Sequence, residues 1–123
     1  MQYKFTEYHE AKLYIGNKKG YHGEEFSKAN LVSAIKEYQS NKSKDDLVSV
    51  RISETCFVVG TYYEDGWEVS AINYPRFPKP KMLINTFMLG LAKFLIEKFN
   101  QNRISVTFPD QIVMVESEEA EQN

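Results

Sequence analysis

The chain has 123 residues, 42% apolar and 26% charged, which is one domain with enough apolar material for a core and excludes a disordered, collagen-like or low-complexity chain. Its single cysteine, Cys56, excludes an internal disulfide and a CxxC-type zinc site and points to a reducing compartment. Fifteen basic residues face seventeen acidic ones, but Glu116, Glu118, Glu119 and Glu121 sit in the last eight positions, so the body is slightly basic and bulk charge neither demands nor forbids an anionic partner.

The N-terminal segment lacks the basic start, apolar stretch and small-residue cleavage site of a signal peptide, so a cytoplasmic location is expected. A first strand is predicted over Ala11 to Asn17. A helix follows, capped by Ser27 or Asn30 and running to about Gln39, with Leu31, Ala34, Ile35 and Tyr38 on one stripe. Val48, Val50 and Ile52 then alternate with Ser49, Arg51 and Ser53, the period of a half-buried strand. A turn at Ser53 and Glu54 leads to a return strand, CFVVGTYY, whose two apolar faces predict a central position or one beneath a helix. Glu64-Asp65-Gly66 reads as a hairpin turn into a strand from Trp67 to Asn73, with Tyr63 and Trp67 as cross-strand partners.

Pro78 and Pro80 precede a second helix, from about Lys81 to Asn100. Met82 to Phe99 holds 12 apolar residues in 18, but also Lys93, Glu97 and Lys98, too short and too charged to span a bilayer. Leu83, Ile84, Phe87, Met88, Leu91, Phe94, Leu95 and Ile96 cover most of its circumference, so it is either the centre of the core or in part an oligomer contact. A second hairpin closes the chain, Ile104 to Phe108 and Gln111 to Glu116, joined at Pro109 and Asp110.

Asp46 to Gly60 aligns without gaps at an offset of 56 onto Asn102 to Glu116, preserving chemical character at Val48/Ile104, Ile52/Phe108 and Cys56/Ile112. The predicted order is therefore βαββ twice, in pseudo-repeats of about 8–62 and 63–115, with 116–123 as a disordered acidic tail. The fold class is α+β: two helices on a mostly antiparallel sheet or partly open barrel.

In such a duplication the two strand-to-helix loops are equivalent, and both interleave cations with aromatics. Lys18, Lys19, Tyr21 and Lys28 stand in or beside the first, and Tyr74, Arg76, Phe77, Lys79 and Lys81 in or beside the second. Cations for phosphate and aromatic faces for bases are what single-stranded nucleic acid requires, so the first expectation is a small non-enzymatic regulatory protein binding RNA or another polyanion. A second is a protein–protein adaptor or homodimer using Leu83, Phe87, Leu91 and Phe94. The third is an unrecognised enzyme pairing His9 or His22 with Glu64. No GxSxG, P-loop or GxGxxG occurs, and the two histidines have no partner at metal-ligand spacing, so no cofactor and no metal are expected. Cys56, aligned with Ile112, is expected to behave as a small hydrophobe.

Overall fold

Alternation of Ala11, Leu13 and Ile15, all buried, with Glu10, Lys12 and Tyr14 makes β1 (Glu10–Gly16) a strand with one dry face. In the computed structural model, which describes residues 1–20 and 23–119, this strand is the middle of the sheet. The other elements are α1 (Lys28–Ser40), a single 3-10 turn (Lys44–Asp46), β2 (Arg51–Val59), β3 (Tyr62–Ile72), α2 (Lys81–Lys98), β4 (Arg103–Thr107) and β5 (Ile112–Glu116). The five strands lie in the order β2-β3-β1-β4-β5 with every neighbouring pair antiparallel. Both helices cover one face, and the sheet stays open; it is an α+β fold and not a closed barrel.

Local chemistry accounts for the helices. Ser27 Oγ accepts from the Asn30 backbone N–H at 3.1 Å while Asn30 Oδ1 accepts from the Ser27 N–H at 3.0 Å, a reciprocal cap that starts α1. Pro80, which has no N–H to lose, stands at the N-terminal boundary of α2.

The apolar girth of α2 is spent inside the chain. Ile84, Met88, Leu91, Ala92 and Leu95 are fully buried among the core residues of the sheet. On another side, Tyr38 of α1 packs edge-on against Phe87 at 5.2 Å and tilts against Phe94 at 5.5 Å, and its hydroxyl donates to the Phe87 carbonyl at 3.0 Å. Leu83 and Phe94 are partly buried against the same core. The expected adaptor face of Leu83, Phe87, Leu91 and Phe94 is thus interior packing, because α1 and the sheet take it from two directions.

Two predicted turns are absent. β2 runs unbroken through Ser53 and Glu54, and β3 runs unbroken through Glu64, Asp65 and Gly66. The chain reverses between them at Gly60, whose φ of +60° is the left-handed conformation that suits glycine. Tyr63 and Trp67 consequently lie on one strand and do not face each other. Gly66 instead sits opposite Gly16, where an added Cβ would overlap the Ile15 carbonyl oxygen and stand 2.9 Å from Gly16 Cα. Glycine is needed there for close approach of two strands.

β1 pairs with β3 only as far as Gly16 and Gly66, so the outer part of the β2–β3 hairpin, from Cys56↔Asp65 to Val59↔Tyr62, continues without a third strand. This places CFVVGTYY in the open rather than centrally: Phe57, Val58 and Val59 are 53%, 69% and 74% exposed. Cys56 is likewise exposed. The segments aligned at an offset of 56 differ in structure, since Asp46 to Gly60 gives one long strand and Asn102 to Glu116 gives a hairpin. The pseudo-repeat is not carried by the fold.

Gly66→Ala should cost about 3 kcal/mol, because the two nearest obstacles, the Ile15 carbonyl oxygen and Gly16 Cα, are backbone and cannot yield. Gly60→Ala, with nothing within 4 Å, should cost about 1 kcal/mol for its positive φ alone. Urea unfolding of both variants checks the order, and equal losses would contradict the close-approach role of Gly66.

Candidate active site

The two strand-to-helix loops leave opposite ends of the sheet. One follows Gly16 and the other follows Ile72, and in the antiparallel β1–β3 register Ile72 pairs with Glu10, six residues from Gly16. Roughly 20 Å of strand separates their roots. Lys18 and Lys19 stand in the first loop. Arg76 lies in the second, its guanidinium 5.2 Å from the Phe77 ring centre, and Lys81 begins α2 beside a small hollow with His9 and Asn73. Tyr21 and His22 fall outside the described residues, as do residues 120–123 of the expected acidic tail. One continuous nucleic-acid surface is therefore not formed.

Four of the expected residues do converge. Lys28, Tyr74, Phe77 and Lys79 line a groove of about 780 Å³ between α1 and the β2 edge, with Lys36 and Lys44 also on its rim. Among the described residues, no carboxylate lines it.

A second concavity has the opposite chemistry. Residues Tyr14 and Gly16 of β1, Glu64 of β3 and Arg103 of β4 alternate onto the face that the helices leave open. With Lys18, Gly20, Gln101 and Asn102 they form a hollow of about 200 Å³. Gly16 makes room for it: a Cβ there would strike the Glu64 carboxylate, so the absent side chain is the seat of that acid. The Tyr14 hydroxyl donates to the Glu64 carbonyl at 3.2 Å, and its ring meets Phe57 edge-on at 4.1 Å. Gln101 donates to the Lys18 carbonyl at 2.6 Å and holds the first loop against the hollow. Arg103 Nε lies 3.3 Å from Glu116 Oε2 across the β4–β5 ladder. Phe57 pairs with Glu64, and Tyr62 is two residues from Glu64, so both rings share its face. Aromatics, one carboxylate and two cations thus stand together at the base of the exposed hairpin.

Electrostatics set the protonation here. Partial burial, reinforced by the Glu64 charge and then by Cys56, Asp65 and Tyr62, pushes the Tyr14 phenol far above its ordinary value, so it remains a hydrogen-bond donor. Desolvation, with hydrogen bonding and charge from Asp65, also pushes the Cys56 thiol up, which argues against a thiolate nucleophile. His9 is not near this hollow. It is buried at the other end of β1, with Nε2 2.6 Å from Asn85 Oδ1, so the predicted His9–Glu64 pair does not exist. Among the described residues there is no cluster of three metal-ligating side chains, and no helix is long and apolar enough to cross a membrane.

Of these residues, sequence reading found Lys18 and Glu64 and missed Tyr14, Gly16, Gln101 and Arg103, which only the strand register brings together. The signal available was the glycine ending β1, a residue that serves no turn there.

No protein-family model and no curated protein sequence matches the chain. Its fold is similar to that of a phage SAM lyase in complex with S-methyl-5'-thioadenosine, at a TM-score of 0.67 and 13% identity over 96% of each chain. A phage SAM lyase in the apo state is also similar, at a TM-score of 0.60 and 13% identity, over 89% of this chain and 90% of that one. The structural neighbours are an enzyme, and the ligand of one is a small nucleoside thioether. This overturns the expected non-enzymatic RNA- or polyanion-binding regulator with its RNA and protein partners; of the histidines named for the enzyme reading, His9 stands apart from Glu64 and His22 lies outside the described residues.

Raised tyrosine values have a defined consequence. Unfolded tyrosine ionises near pH 10, whereas burial holds Tyr14 and Tyr38 protonated in the folded chain. Their contribution to stability is present below about pH 10 and is lost as pH climbs beyond it, where the unfolded state binds fewer protons. Unfolding free energies measured across this range should decline, and Tyr14→Phe should flatten the decline.

Proposed function

We propose that this chain is a lyase acting on S-adenosylmethionine, releasing S-methyl-5'-thioadenosine. The observation that carries the reading is the likeness to the phage SAM lyase over 96% of both chains. The charge of the two concavities supports a location for it. The substrate is a sulfonium cation bearing an ammonium and a carboxylate. The hollow offers the sulfonium a counter-charge in Glu64, beside two cations suited to the substrate carboxylate, whereas the groove rimmed by Lys28, Lys36 and Lys44 offers it none.

The hollow, at about 200 Å³, is smaller than ordinary ligand pockets, which begin at about 300 Å³. It is sized for the amino-acid arm and sulfonium, with the adenine over the exposed Phe57 and Tyr62 rings outside it. Glu64 then faces the cationic end, Lys18 and Arg103 take the substrate carboxylate, and the Tyr14 ring borders the methyl sulfonium.

Cleavage breaks the bond between sulfur and the γ carbon of the amino-acid arm. Both electrons remain on sulfur, which departs as a neutral thioether. The four-carbon remainder closes as a lactone when its own carboxylate attacks the γ carbon, or becomes an alkene when a base removes a β proton. Both routes balance without a co-reactant. In the first, the protein holds the arm folded and excludes water; in the second, Glu64 is the base.

Purified protein incubated with S-adenosylmethionine should release S-methyl-5'-thioadenosine, followed by liquid chromatography, and the four-carbon product identifies the route. Glu64→Gln should slow release about 100-fold or more. Gly16→Ala should also slow it, by displacing the carboxylate, while leaving the unfolding midpoint nearly unchanged, because the atom displaced is the end of a flexible side chain. Absence of the thioether, or an undiminished rate in Glu64→Gln, would overturn the assignment.

A further inference from the structure

The groove beside α1 has no part in the reaction proposed above, yet it is the larger concavity, about 780 Å³. Its wall is mainly aliphatic: Val32 and Ile35 from α1, Val50 just before β2 and Ile52 within it, and Ile72 from the end of β3. Neutral polar groups on it are few. Gln39 Nε2 already donates to the Val48 carbonyl at 3.4 Å, which leaves Ser49 and the Tyr74 hydroxyl.

Charge is distributed along the groove with one sign. Lys28 opens α1, Lys36 stands two turns on, and Lys44 lies beyond the helix C-terminus. None of these three forms an ion pair among the described residues. Lys79 is the fourth, and its Nζ donates to the Asp45 carbonyl at 3.0 Å. Like charges placed around apolar surface repel one another until an anion with an apolar body lies between them.

We propose that this groove binds a single long-chain carboxylate, a free fatty acid, with its methylenes along α1 and its head at a lysine. Two observations select that chemistry. A ligand rich in ring nitrogens or hydroxyls would leave most of its polar groups without partners on this wall. And α1 from Lys28 to Gln39 spans about 17 Å, the reach of an extended acyl chain and not of a compact anion.

Calorimetry with decanoate and dodecanoate, each below its micelle threshold, tests this on the whole chain. One dodecanoate per chain should bind, about tenfold more tightly than decanoate for its two extra methylenes. Amide resonance shifts should concentrate in α1 and at Val48 to Ile52. The Lys36→Glu, Lys44→Glu double variant should weaken binding at least tenfold while leaving S-adenosylmethionine cleavage unchanged. Equal binding of dodecyltrimethylammonium, shifts confined to the exposed hairpin around Phe57 and Tyr62, or no binding of dodecanoate would each overturn the proposal. The chain-length and counter-charge comparisons need only the unmodified protein, so the outcome stands even if the double variant fails to fold.

Discussion

Gly16 and Gly66 face each other at the last pair of the β1–β3 ladder, and the close approach that the missing Cβ of Gly66 permits there is the constraint from which the rest of this molecule follows. A side chain at Gly66 would meet the backbone of β1, which cannot move without disturbing the ladder on both sides. With the strands this close, β3 carries on past the end of β1 as half of a free hairpin. The vacancy left at Gly16 is filled from two residues along β3, on the same face, by the Glu64 carboxylate. One steric condition therefore positions the hairpin, the acid and the hollow together.

The interior rests on a division of surface between α2 and everything around it. An 18-residue helix with Ile84, Met88, Leu91 and Leu95 fully buried cannot be satisfied by one sheet face. α1 supplies the remainder through Tyr38, whose ring meets Phe87 and Phe94 and whose hydroxyl passes close to Gly90 to reach the Phe87 carbonyl. At the far side, Phe26 stacks on Phe99 at 3.9 Å and lies 5.2 Å from Trp67, which ties the first loop to the end of α2. The loop that carries Lys18 is thus anchored by aromatic packing a few residues away, and its position over the hollow is a consequence of core formation.

Electrostatics divides the surface in a way that composition conceals. A formal net charge of -2 suggests nothing in particular. Yet, among the described residues, the groove beside α1 is lined by lysines without an acid, whereas the hollow on the open face holds Glu64 together with Lys18 and Arg103. The open face continues this mixture, with Lys12 Nζ 3.4 Å from Glu10 and 3.6 Å from Glu68, contacts that raise the lysine's proton affinity.

The amino-acid sequence by itself determined the local structure that depends on neighbours in the chain. Ser27 and Asn30 fixed where the first helix begins, the prolines bounded the second, and alternation at Ala11, Leu13 and Ile15 marked the central strand. It also determined the class, since two amphipathic helices and short alternating strands leave few packings other than helices on a mostly antiparallel sheet. What only the tertiary structure decided were the turns and the site. Glu64-Asp65-Gly66 has the composition of a turn, but Gly66 serves contact with a strand fifty residues earlier, and no local rule distinguishes those uses of glycine. The matched basic loops suggested one surface because their sequences agree; antiparallel pairing of β1 with β3 sends them to opposite ends. Tyr14, Glu64 and Arg103 come together because strand register, set by burial across the whole sheet, places three distant segments side by side.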